Sequence, residues 1–145
     1  MKKAVMLIAC LPMFAQAKSI FADVQINQLA QSQQSQWQLS EQPAPQYPKA
    51  LAQKMSRGCG VFQLRLAADA SITEVTMAES VVLGTSKRVF LTETKKLLSQ
   101  LQWQAAHQVA LPSQATVRVD YCLSSESSQH SEAMCQRQAQ TACQM

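Results

Sequence analysis

Two hydrophobic periods run through the middle of the chain. Phe62, Leu64 and Leu66 alternate with Gln63 and Arg65, which predicts a half-buried strand. A second strand is predicted over residues 72–79, where Val75 and Met77 share a face. Ile72 falls out of phase there and implies a bulge or the strand's start. Asp69-Ala70-Ser71 supplies a turn between the two, so the pair reads as a hairpin. The period then changes. Phe90, Thr94, Leu97, Leu98 and Leu101 recur at helical spacing, and Thr85 or Ser86 can cap a helix reaching about Trp103. Val117, Val119, Tyr121 and Leu123 alternate with Arg118, Asp120 and Cys122 and predict a third strand. Ahead of the hairpin, Pro48 suits the start of a short helix over 49–57, with Gly58 as its stop.

The predicted order is helix, strand, strand, helix, strand. This is an α+β fold with a small three-stranded antiparallel sheet packed by two helices. The flanks carry no sustained stripe. Residues 18–44 are rich in Gln, Ser and Ala and read as a weakly ordered lead-in, and Pro43-Ala44-Pro45 stiffens the chain into an extended segment where it meets the domain. Residues 124–145 read as a polar, cysteine-bearing tail with a helical turn or two between Cys135 and Cys143.

The N-terminus has a different pattern. Lys2 and Lys3 precede an apolar run from Ala4 to Ala15, followed by Ala15-Gln16-Ala17. A basic start, a short apolar core and a small-x-small exit predict a secretory signal peptide over 1–17, with Ala22 as the second choice of cleavage point. The run is interrupted by Pro12 and ends at Lys18, short of the roughly 20 apolar residues of a membrane span. No permanent membrane anchor is therefore expected. Leu7-Ile8-Ala9-Cys10 keeps lipidation at Cys10 as the alternative, after an uncomfortably short apolar run. The expected compartment is the periplasm.

Composition narrows the function. At 145 residues the chain has room for one domain. Its formal charge of +4 falls to +2 without Lys2 and Lys3, too little for a nucleic-acid footprint. Lys87, Arg88, Lys95 and Lys96 lie largely off the helical stripe and read as a solvated face. Three glycines allow no phosphate-cradling loop. His107 and His130 come with no nucleophile motif and no zinc-ligand spacing, so no catalytic residue, metal or cofactor is expected and the chain does not read as an enzyme. Trp37 and Trp103 read as packing residues.

From Pro45 to Leu123 the chain resembles the C-terminal domain of the TonB family. The resemblance is carried by Gln46-Tyr47-Pro48 before a short Ala-rich helix, Gly58 before the first strand and Asp69 in the turn. It continues through Ile72-x-x-Val75-x-Met77-x-x-Ser80, Phe90 in the second helix and Leu101-x-Trp103 near its end. This chain has Asp69-Ala70 where the family usually has Asp-Gly, and Gln104-Ala105-Ala106 where it tends to have an aromatic and then a proline. The resemblance implies a protein-binding module that takes an extended peptide from an outer-membrane transporter as a strand beside the last strand of the sheet. The implied peptide-binding residues are Thr116, Val117, Arg118, Val119, Asp120 and Tyr121, with Gln46 and Tyr47 at one end. At about 3.3 Å per residue, segment 18–44 is too short to cross a periplasm, so a free-standing domain is expected rather than a full energy transducer. The alternative is a small disulfide-stabilised secreted domain with a structural or competitor role.

Removal of the signal would leave four cysteines, an even number that favours disulfides in an exported chain. Cys59 lies off the face of Phe62, Leu64 and Leu66, and Cys122 off the face of Val119 and Tyr121. If their strands are antiparallel neighbours, both thiols point the same way. That predicts Cys59–Cys122, leaving Cys135–Cys143 to close a short loop; the other arrangement has both tail cysteines bridging back to the domain.

Overall fold

A computed structural model of the chain describes residues 18–29, 37–40, 44–105 and 113–144. The expected signal peptide, Cys10, Pro43 and His107 lie outside the described residues. Among the described residues, six strands and three helices follow one another as β1 (Phe21–Leu29), β2 (Trp37–Leu39), α1 (Lys49–Gln53), β3 (Arg57–Leu66), β4 (Ile72–Leu83), α2 (Lys87–Leu98), β5 (Trp103–Ala105), β6 (Ser113–Ser124) and α3 (Ser128–Ala139). The main sheet is antiparallel in the order β1-β6-β3-β4, and β2 pairs with β5 as a separate ribbon.

The α+β class holds, but the sheet has four strands rather than three, and a third helix is added. Both additions come from segments read as a lead-in and a tail. In β1, Ala22, Val24 and Ile26 alternate with polar or bulky neighbours, and the strand pairs with β6 from Phe21↔Ser124 to Leu29↔Thr116. Its order comes from long-range pairing more than from local propensity. Helix α3 runs three turns where one or two were expected, capped by Ser127 accepting from the His130 N–H at 3.1 Å.

The hairpin matches its sequence. Asp69 Oδ1 accepts from the Ser71 N–H at 3.0 Å and the Ser71 hydroxyl at 2.6 Å, and these bonds hold its carboxyl below the usual range. Pairing jumps from Arg65↔Glu74 to Leu66↔Ile72, so the bulge implied by Ile72 is present. Helix α1 stops earlier than expected. Met55, at φ 51°, takes the left-handed position, and the Ser56 N–H bonds Leu51 O at 2.9 Å while the Met55 N–H bonds Ala52 O at 3.0 Å. That is a Schellman stop three residues before Gly58. Gly58 instead sits inside β3 at φ 138°, where a Cβ would lie 1.9 Å from Val81 O.

Helix α2 begins at the expected cap, with Ser86 accepting from the Val89 N–H, and buries Phe90, Thr94, Leu97 and Leu98. It ends before Trp103, which belongs to β5. Lys87, Arg88, Lys95 and Lys96 are exposed. On the core face Phe62, Phe90, Val117, Val119 and Tyr121 are fully buried, each such burial being worth about 1.5–3 kcal/mol. Trp37 and Trp103 join that core as packing residues.

The opposite face of the sheet is covered by α3, and two disulfides fix the helix and the segment after it there. They are Cys59–Cys143 and Cys122–Cys135, with Cα separations of 5.8 and 5.5 Å. The expected Cys59–Cys122 and Cys135–Cys143 pairing is thus corrected. Both strand cysteines do lie on the outer face of neighbouring strands, but Cys59 stands opposite Asp120, not Cys122. Diagonal neighbours in a sheet are about 7–8 Å apart, beyond comfortable disulfide reach. Each strand cysteine therefore bridges upward to the segment lying over it. Two disulfides fit an oxidising compartment, and no helix among the described residues is long and apolar enough to cross a membrane.

Candidate peptide-binding groove

The strand that the sequence singles out for partner binding lies inside the sheet. Residues Thr116 to Tyr121 pair with Val24–Leu29 on one side and with Gly58–Gln63 on the other. The chain's own β1 therefore fills the edge expected to receive a peptide. Side chains on β6 are committed as well. Val117, Val119 and Tyr121 point into the core, and Tyr121 shares a hydroxyl hydrogen bond with Thr94 at 3.0 Å.

Arg118 and Asp120 point toward α3. Arg118 Nε and Nη2 donate to the two Asp120 carboxylate oxygens, both at 2.9 Å, in a fork geometry. The side chains are only 8% and 0% exposed. The guanidinium also donates to Thr141 O and Gln138 O, while the Gln138 amide donates to Asp120 Oδ1 and Gly58 O. This satisfied network carries α3, and it offers nothing to a partner.

Of the expected site residues, Gln46 lines an open cavity. Tyr47 is half-buried against the core, its hydroxyl donating to Ser56 O and its ring edge-on to Tyr121 at 5.2 Å. Burial holds both phenols well above their ordinary pKa.

The cavity beside Gln46 has a volume of about 680 Å³ and runs along the outer edge of β1. Val24, Gln25, Ile26 and Asn27 form one side of it. Leu39, Ser40 and the segment 44–46 form another, and the end of α2 and the turn after it add Leu97, Gln100 and Leu101. Because β1 pairs only with β6 in the main sheet, alternate residues along it turn their N–H and C=O away from the sheet. Over Val24–Asn27 those outward groups have no hydrogen-bond partner among the described residues. Farther along, the Gln28 side chain occupies the same edge. Its amide donates to Trp37 O at 2.6 Å, and its Oε1 accepts from the Leu39 N–H at 3.0 Å. One side-chain amide here does for β2 what a paired strand would do.

This edge went unrecognised in the sequence because β1 itself did; the alternation of Ala22, Val24 and Ile26 was the available signal. Among the described residues no three or more His, Cys, Asp or Glu side chains cluster to hold a metal ion. His130 lies on α3, paired with Glu126 at 2.6 Å. No family model, curated protein or solved structure matches the chain.

Proposed function

We propose that this protein is a protein-binding module of the periplasm that takes an extended peptide by strand addition, along the outer edge of β1. One observation carries the reading: the outward backbone groups of Val24–Asn27, without a partner among the described residues, border a cavity of about 680 Å³, within the usual size range of ligand sites. The resemblance of residues 45–123 to the TonB C-terminal domain supports the same mode of recognition. It makes the N-terminal segment of an outer-membrane transporter the first peptide to try, and transport across the outer membrane the process served. The two disulfides support an exported location. Signal cleavage after Ala17 would leave β1 whole, whereas cleavage after Ala22 would remove its first two residues.

The test uses the oxidised mature chain and peptides of two origins, transporter N-terminal segments and ten-residue sequences selected from a random display library. Each binder is resynthesised with single backbone N-methyl groups. Strand addition predicts that affinity falls at every second position only, because alternate N–H groups face β1. It also predicts that amide signals of Val24–Asn27 move on binding. Binders that show no two-residue period, or that map to another surface, would overturn the reading.

A second reading has its own observation. One disulfide fastens α3 and the other the segment that follows it, over a buried ion pair, as expected of a small secreted domain built for durability. If no peptide of either origin binds, the structural or competitor role is the one left standing.

A further inference from the structure

We infer that the groove along β1 selects an uncharged strand of about four residues with apolar side chains at alternate positions. The inference rests on the strand-addition reading and adds what kind of segment is taken. Three features of the groove carry it. The first is charge: none of the described residues lining it is ionisable. A charged side chain held against that lining would give up part of its hydration and meet no opposite charge among the described lining residues.

The second feature is the distribution of polarity. Val24, Ile26, Leu39, Pro45, Leu97 and Leu101 supply the apolar surface. Polar lining comes from Gln25, Asn27, Ser40, Gln46 and Gln100, uncharged groups that can both donate and accept. Such groups suit peptide amides and Ser, Thr, Asn or Gln side chains. A strand presents its side chains alternately to opposite sides. A segment lying on β1 would therefore set every second side chain toward Leu97 and Leu101 and the others outward.

The third feature is length. Open edge is available over Val24–Asn27, and at Gln28 the side-chain amide already holds Trp37 O and the Leu39 N–H. The edge therefore ends at Gln28 on one side, and the stretch of it that borders the cavity, Val24–Asn27, would face roughly four residues of an added strand. Gln28 acts as a stop that sets the register of whatever binds.

The experiment titrates the oxidised chain with three blocked seven-residue peptides, following the amide signals of Val24–Asn27. One alternates Thr and Val, the second replaces each Val by Lys, and the third replaces each Val by Glu. The Thr/Val peptide is expected to bind, with the Lys and Glu peptides at least tenfold weaker. Leu101→Glu should weaken the Thr/Val peptide tenfold or more. Since Leu101 also touches the core, a second variant keeps the test sound: Gln100→Glu, at an exposed position of the lining, should raise the affinity of the Lys peptide relative to the Glu peptide tenfold or more. Equal binding of all three peptides at Val24–Asn27 would overturn the selectivity while leaving strand addition intact. Failure of every peptide, in a chain that also binds no library or transporter segment, would overturn both.

Discussion

Ile26 of β1 stands directly opposite Val119 of β6, and Gly60 of β3 stands opposite the same Val119 from the other side. The strand expected to offer an edge is thus an interior strand, and its backbone is used on both sides. A substitution designed to block peptide binding there would instead damage the fold. Val119→Pro removes a ladder donor and a fully buried side chain at once. It is expected to cost more than about 3 kcal/mol, enough to unfold much of a marginally stable domain. Urea denaturation followed by circular dichroism measures this, and an unchanged midpoint would contradict the central position of β6.

The Arg118–Asp120 pair leads to a second expectation. With Asp120 fully buried and Arg118 almost so, Asp120→Asn leaves a guanidinium with no compensating charge beneath α3. Breaking one side of a buried pair typically costs about 3–5 kcal/mol. The loss should appear in denaturation, whereas binding at β1, measured where the variant is still folded, should not change. A variant that loses peptide binding at full stability would return these residues to the binding site.

How far the sequence showed this fold depended on whether an element carried its own hydrophobic period. The hairpin, its bulge and α2 all did, through Phe62, Leu64 and Leu66, the phase break at Ile72, and Phe90 to Leu101. Helix α3 did not, because its buried residues are Ser131 and Cys135 and it is held by disulfides and hydrogen bonds rather than by an apolar stripe. In β1 only Val24 is fully buried, so a Gln-rich surrounding hid the alternation. The groove follows from where β1 docks, and register between strands distant in sequence is what the pattern of one strand cannot reveal. The same gap explains the cysteines: their faces were legible, but the two-residue offset between Cys59 and Cys122 was not.

The disulfides give a graded prediction. Cys59–Cys143 joins residues 84 apart in sequence and Cys122–Cys135 residues 13 apart. On the chain-entropy argument, removing the first is expected to cost about 4–5 kcal/mol and the second about 3 kcal/mol. Paired Cys→Ser variants compared by guanidinium denaturation would show this order. Peptide mapping without reduction should join Cys59 to Cys143; a Cys59–Cys122 cross-link would refute the connectivity.

Ala70 occupies the turn position at φ 66°, where the TonB-like pattern has glycine. A Cβ in the left-handed region costs about 1–2 kcal/mol, partly offset by the extra freedom glycine gives the unfolded chain. Ala70→Gly is therefore expected to stabilise the protein by about 0.5 kcal/mol. Thermal denaturation measures it, and a lower melting temperature would show that the methyl group's packing outweighs the backbone strain.

Tyr47 and Tyr121 set the alkaline limit of stability. Their rings meet edge-on at 5.2 Å, and Phe90 meets Tyr121 in the same way from the other side. Burial raises both phenol pKa values above the ordinary one, and for Tyr47 the neighbouring Tyr121 adds to the rise. A group whose folded pKa exceeds its unfolded value contributes stability that is complete below the unfolded pKa, near 10 for tyrosine. That contribution is lost as pH rises toward the folded pKa, because the unfolded chain releases the proton first. Stability should therefore fall from about pH 10 upward. Tyr47→Phe should make this decline shallower while lowering stability at neutral pH, since it also removes the hydroxyl's bond to Ser56 O. Urea midpoints of the two proteins between pH 8 and pH 11 decide it: parallel declines would mean that Tyr47 stays protonated in the unfolded chain or ionises freely in the folded one, and either would contradict its buried position beside Tyr121.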